Sequence, residues 1–209
     1  MPLPPPAERA PLHARDIALR GYERADGLFD VEAHLTDTKT YAFTNRDRGT
    51  VEPGVPLHGM WLRLTVDEDM TVVACEAATD FAPYHVCPGA APNFARLAGL
   101  RIGPGFSRGV RERVGGVEGC THLRELLGQM ATVAFQTLYP VRARRARERA
   151  VAAGTPAAPT PNPMLGTCLA YAPDSPVVLR EAGGERGDGT SGGPPPTPTA
   201  ATTAGATAD

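Results

Sequence analysis

Alternation of apolar and polar residues dominates the first eighty positions of the chain. Residues 15–24 alternate, Ala25-Asp26-Gly27 gives a turn signal, and residues 28–37 alternate again. This predicts a β-hairpin, because Asp-Gly supplies the positive backbone angles that a tight turn needs. In the second strand Phe29, Val31, Ala33 and Leu35 share one face, and Asp30, Glu32, His34 and Thr36 share the other. Residues 44–56, with Asn45, Asp47, Gly49, Pro53, Gly54 and Pro56, read as a loop. Alternation resumes over residues 60–66, turns at Asp67-Glu68-Asp69 and returns over residues 70–78. A second antiparallel hairpin follows, with Met60, Leu62, Leu64 and Val66 facing the core.

The period then changes. Residues 83–89 read as a loop, residues 92–100 as a short helix ending at glycine, residues 102–106 as a rigid turn and residues 107–114 as another short helix. Leu123, Leu126, Leu127, Met130, Val133, Ala134, Thr137, Leu138 and Val141 recur at three- and four-residue spacing, which predicts the longest amphipathic helix. Pro140 interrupts that helix, and the arginine-rich residues 141–150 can restart it. Residues 165–171 and 177–180 flank a proline-containing turn and suggest a last hairpin. Strands first and helices afterwards predict an α+β fold, an antiparallel β-meander of about four to six strands with helices packed on one face.

These patterns divide the chain into a proline-rich arm (1–14), a core α+β domain (15–151), a linker (152–163), a hairpin returning to the core (164–181) and a tail (182–209). The tail is almost wholly Gly, Pro, Thr, Ala, Ser and Asp. It lacks the apolar surface to offset chain entropy and is predicted to be disordered.

Composition sharpens this picture at three points. The 209 residues suit one domain plus tails, and 23 glycines and 22 prolines crowd the two ends. An ordered core of roughly 140 to 165 residues is expected. A formal charge of −2 and a pI near 6.2 give no electrostatic reason to expect nucleic acid as a partner. The start of the chain lacks a signal-peptide pattern, and no apolar window approaches the ~18 residues that span a membrane. A cytoplasmic protein without membrane contact is therefore expected, its oligomeric state open. Cys75, Cys87, Cys120 and Cys168 are widely spread, and in a reducing compartment they read as core residues, metal ligands or one reactive thiol. Cys75 lies inside a strand and reads as a small buried hydrophobe.

Candidate chemistry concentrates around Cys120 and His122, in the first turn of the long helix, where unpaired backbone N–H groups favour a thiolate or an anion. Cys87, Cys120, His122 and Cys168 are candidate ligands for zinc or iron, since thiolate and imidazole are the donors those ions prefer. Four such groups close a tetrahedral site, and three leave a position for water or substrate. A second reading makes Cys120 a nucleophile for acyl transfer or thioester hydrolysis, with His122 or His34 as base. Arg101 and Arg108, beside Gly103-Pro104-Gly105, are candidates to hold the anionic group of a carboxylated or acyl substrate. On the polar side of the second strand His34, Thr36 and Asp37, with Lys39, form a candidate acid–base cluster if a helix covers that face. The basic run 142–149 reads either as a solvated helix end or as a binding surface for RNA or an acidic partner. The functional expectations are thus a metal-binding enzyme acting on an acyl or carboxylated substrate, a non-enzymatic scaffold with a structural Cys/His cluster, or a cysteine-nucleophile acyl transferase.

Several motifs in order are similar to the bacterial family named domain of unknown function 2889: Arg20-Gly21-Tyr22, Asp26-Gly27-Leu28-Phe29-Asp30, residues 34–39 (His-Leu-Thr-Asp-Thr-Lys), residues 58–63 (His-Gly-Met-Trp-Leu-Arg), residues 76–80, residues 100–105 and Gly119-Cys120-Thr121-His122-Leu123. The resemblance spans about residues 12 to 180 and implies a shared domain, with no activity attached to it. The family pattern places histidine after the cysteine matching Cys168, where this chain has Leu169. The order of strands, a Cys-bearing loop and a cysteine at a helix start is also similar to that of iron–sulfur scaffold proteins, a likeness of fold that carries no function.

Overall fold

The computed structural model describes residues 3–155 and 162–182, with side chains described up to residue 180. The chain divides into two units, Met1–Ala157 and Ala158–Asp209. The first contains strands β1 (His13–Glu23), β2 (Phe29–Lys39), β3 (Phe43–Asn45), β4 (Gly49–Val51), β5 (His58–Val66) and β6 (Val72–Phe81). A 3-10 segment (Cys87–Leu97), helix α1 (Phe106–Val114), a 3-10 turn (Gly116–Glu118) and helix α2 (Thr121–Ala152) follow. Strands β1-β2-β5-β6 form one antiparallel sheet in that order, and β3-β4 form a separate hairpin. This is the α+β meander with helices on one face that the patterning predicts.

Strand β2 shows why that face is covered. Its odd positions from Phe29 to Asp37 are buried and its even positions are partly exposed. Phe29, Val31 and Leu35 pack with Met60, Leu62 and Leu64 of β5 against Leu123, Leu126, Leu127, Met130 and Leu138 of α2. Each such side chain contributes about 1.5–3 kcal/mol on leaving water. Gly21 of β1 lets α2 approach closely, because a Cβ there would run into the hydroxyl and methyl of Thr137. The proline-rich arm is exposed over residues 3–12 and tied down where the Thr40 hydroxyl donates to the Pro11 carbonyl, 2.7 Å.

Three expectations change. The loop expected over residues 44–56 contains the β3-β4 hairpin, because Asn45 Oδ1 accepts the N–H groups of Asp47 and Arg48 and Gly49 takes a positive φ of 68°, so the polar cluster is its turn. Helix α2 does not break at Pro140. An interior proline costs about 3 kcal/mol, and the downstream turns are held by Arg145 on Glu23 (2.9 Å) and Glu68 (3.0 Å), Arg144 on Glu23 (3.4 Å), Arg149 on Glu68 (3.3 Å) and the Arg145 guanidinium over the Phe29 ring. Three arginines of the basic run, Arg144, Arg145 and Arg149, are thereby ion-paired with Glu23 and Glu68. In the second unit the strands expected within 164–181 are a 3-10 turn (Leu169–Tyr171) and helix α3 (Pro176–Ala182). Ser175 Oγ accepts the Val178 N–H, and proline in the first turn completes a helix-start signature that outweighs the β-branched pair Val177-Val178. The predicted disordered tail lies outside the described residues apart from Ala182. Among the described residues no helix is long and apolar enough to cross a membrane.

Candidate metal centre

Three adjacent strands place one residue each in a single row. Arg15 of β1 pairs directly with Asp37 of β2, and Asp37 with His58 of β5. Direct antiparallel partners project to the same face, here the one beneath α2. Asp37 is 1% exposed. Its carboxylate accepts from Arg15 Nε (2.7 Å) and Nη2 (2.8 Å) and from His58 Nδ1 (2.8 Å), with His13 Nε2 3.3 Å away. Burial alone pushes this carboxyl up, but the hydrogen bonds and charges of Arg15 and His58 outweigh it and hold it below the usual carboxylate range. An ionised Asp37 only accepts, so His58 carries its hydrogen on Nδ1 and keeps the Nε2 lone pair free.

The first turn of α2 completes the group. The His122 ring lies against that of His58, centroids 3.9 Å apart and tilted by 35°. Cys120, the residue capping α2, has no side-chain capping bond. Its Sγ sits 3.8 Å from His122 Nδ1 and 3.9 Å from the Sδ of buried Met60. Glu125, one turn further on, accepts from Arg15 Nη1 at 3.0 Å. Burial, then the neighbouring His122, lowers the pKa of His58 against the pull of Asp37; burial, then the Arg15 charge, lowers that of His122. Both imidazoles are held neutral, the form that binds metal ions. Asp37, His58 and His122 each offer one donor atom, all within 4.8 Å of one another.

The structure thus joins two sequence candidates, Asp37 and His122, in one ligand-type group and sets a third, Cys120, against His122. His34 does not stand beside Asp37. It projects from the opposite face of β2 and stacks on Trp61, centroids 3.8 Å apart, because even and odd positions of a strand point to opposite sides. Cys87 opens the 3-10 segment and is not among the ligand-type groups gathered at Asp37; Cys168 is exposed and belongs to the second unit. Arg101 donates to the Asp69 carbonyl at 3.0 Å, in the β5-β6 turn, at the end of β5 opposite His58. Arg108 is exposed on α1 and faces Glu112. Neither arginine stands at the centre. The sequence assigns Arg15, His58 and Met60 no site role, although the Asp26-Gly27 hairpin sets the register that pairs Arg15 with Asp37.

Fold and cluster together define an α+β domain with an Asp–His–His group of metal-ligand type, Asp37 and His58 buried and His122 half-buried, between the covered face of its sheet and α2. A family model described as Protein of unknown function (DUF2889) matches residues 13–136, a stretch that holds every member of the cluster. The chain belongs to that family. No curated protein and no solved structure matches the chain.

Proposed function

We propose that this is a transition-metal-binding domain in which His58, His122 and Cys120 hold the ion and Asp37 orients His58 from behind. The observation that carries this reading is the state of Asp37. Both of its oxygens are occupied by Arg15 and His58, so the carboxylate acts as the partner that fixes a ligand histidine and raises its basicity. Zinc and iron are the ions expected from the ligand types alone. The acyl-directed reaction expected from Arg101 gains no support, since Arg101 is committed to the β5-β6 turn and Arg15 to Asp37 and Glu125. Metal binding is therefore the function put forward. All four cysteines are free, which supports a reducing compartment such as the cytoplasm.

Elemental analysis of untagged protein, beside His122→Ala and Cys120→Ser variants, tests the reading. One equivalent of metal in the native chain and its loss in His122→Ala is the expected outcome. A native chain that carries no metal and takes up none on reconstitution overturns it.

A further inference from the structure

The strand that supplies His58 supplies a second side chain to the same face two residues on. Met60 is 1% exposed, and its Sδ touches Cys120 Sγ at 3.9 Å. Cys120 Sγ in turn lies 3.8 Å from His122 Nδ1. With metal–sulfur bonds of about 2.3 Å and metal–nitrogen bonds of about 2.0–2.1 Å, two donors at tetrahedral corners stand roughly 3.5–3.8 Å apart. The thiol already stands near those separations from both the thioether and His122 Nδ1, and the His58 ring lies against that of His122. Met60 belongs to the buried core, and Cys120 packs against that core at its edge, so the Met60 sulfur faces the thiol that also touches His122.

We propose that Met60 is a fourth donor and that the centre takes copper, held as copper(I) by Cys120, His122, Met60 and His58. The inference rests on the metal-centre reading and fixes the class of ion. A thioether is uncharged, weakly basic and polarisable, so it contributes little to zinc or ferrous iron and much to copper(I). Two imidazoles, a thiolate and a thioether form a set typical of copper sites. Binding displaces the Cys120 thiol proton to solvent, and the thiolate takes the coordination position. Asp37 stays outside the donor set, on His58 Nδ1.

The test uses the full chain carrying Cys168→Ser, which removes the exposed thiol. Metal-free protein competes under anaerobic, reducing conditions with a copper(I) chelator and separately with a zinc chelator, as is and with Met60→Leu, a substitution that keeps volume. One equivalent of copper(I) is expected, with affinity falling at least about ten-fold in Met60→Leu while zinc affinity stays within about two-fold. X-ray absorption of the copper(I) protein gives an independent count of two sulfur donors, which stands even if Met60→Leu folds poorly. Equal copper affinity in both proteins, or a single sulfur donor, overturns the inference and leaves the metal centre intact. A chain that takes neither copper(I) nor zinc overturns both.

Discussion

Replacing Asp37 by asparagine removes one charge and keeps the shape, and the structure sets what that costs. The carboxylate accepts two hydrogen bonds from Arg15 and one from His58 at 1% exposure. Asparagine offers one oxygen and one NH2 group, so either orientation points a donor at Arg15 or His58. Losing one partner of a fully buried ion pair costs about 3–5 kcal/mol. Arg15 is 31% exposed and keeps Glu125, so it recovers part of its solvation; about 2–3 kcal/mol is the expected loss after that discount. For a domain of this size that lowers Tm by roughly 4–12 °C. The assay is denaturant unfolding of the metal-free chain, followed by the fluorescence of Trp61, its only tryptophan. A cycle with Arg15→Met isolates the pair, with an expected coupling above about 1.5 kcal/mol. Asp37→Asn within about 0.5 kcal/mol of the native chain, or simple additivity in the cycle, refutes the reasoning.

Two further outcomes follow from the same geometry. The pKa values of His58 and His122 lie below their ordinary value in the folded chain, so below about pH 6.5 the unfolded chain binds protons that the native one does not. Their stabilising contribution is present above that pH and lost as pH falls towards the depressed values, by up to about 1.4 kcal/mol per pH unit for each group. Metal-free protein is thus less stable at pH 5.5 than at pH 7.5 in denaturant titrations, and equal stability at both contradicts the burial argument. Gly21→Ala forces a Cβ into Thr137 and costs about 1–3 kcal/mol, most of it restored in Gly21→Ala/Thr137→Ala. A neutral single variant shows that α2 does not rest on Gly21.

Much of the fold is legible because strand parity is strict: the odd apolar positions of β2 are its buried ones. The same parity, carried one step further, places Asp37 beneath α2 and His34 on the outer face. Side-chain polarity alone places Asp37 with the polar residues, whereas its odd position continues the buried apolar stripe. Cys120 and His122 were legible from their place at a helix start. His58 was not, because it lies before the alternating stretch that marks β5 and its role exists only through pairing with Asp37. Helix α2 continues through Pro140 with Leu138 and Val141 packed on the core and its later turns ion-paired to Glu23 and Glu68, contacts that no local pattern announces. At the last expected hairpin the deciding signal is local: Ser175-Pro176 starts a helix, and this outweighs the strand preference of Val177-Val178.

The row Arg15–Asp37–His58 also makes the centre a check on assembly. A slip of one residue in β2 turns Asp37 to the outer face and empties the middle of the row. Arg15 and Glu125, which close it, stand 110 residues apart. No short segment holds the proposed donors by itself, so an ion bound as proposed would add its binding energy to the correctly paired and docked chain, and a misaligned intermediate would gain none of it.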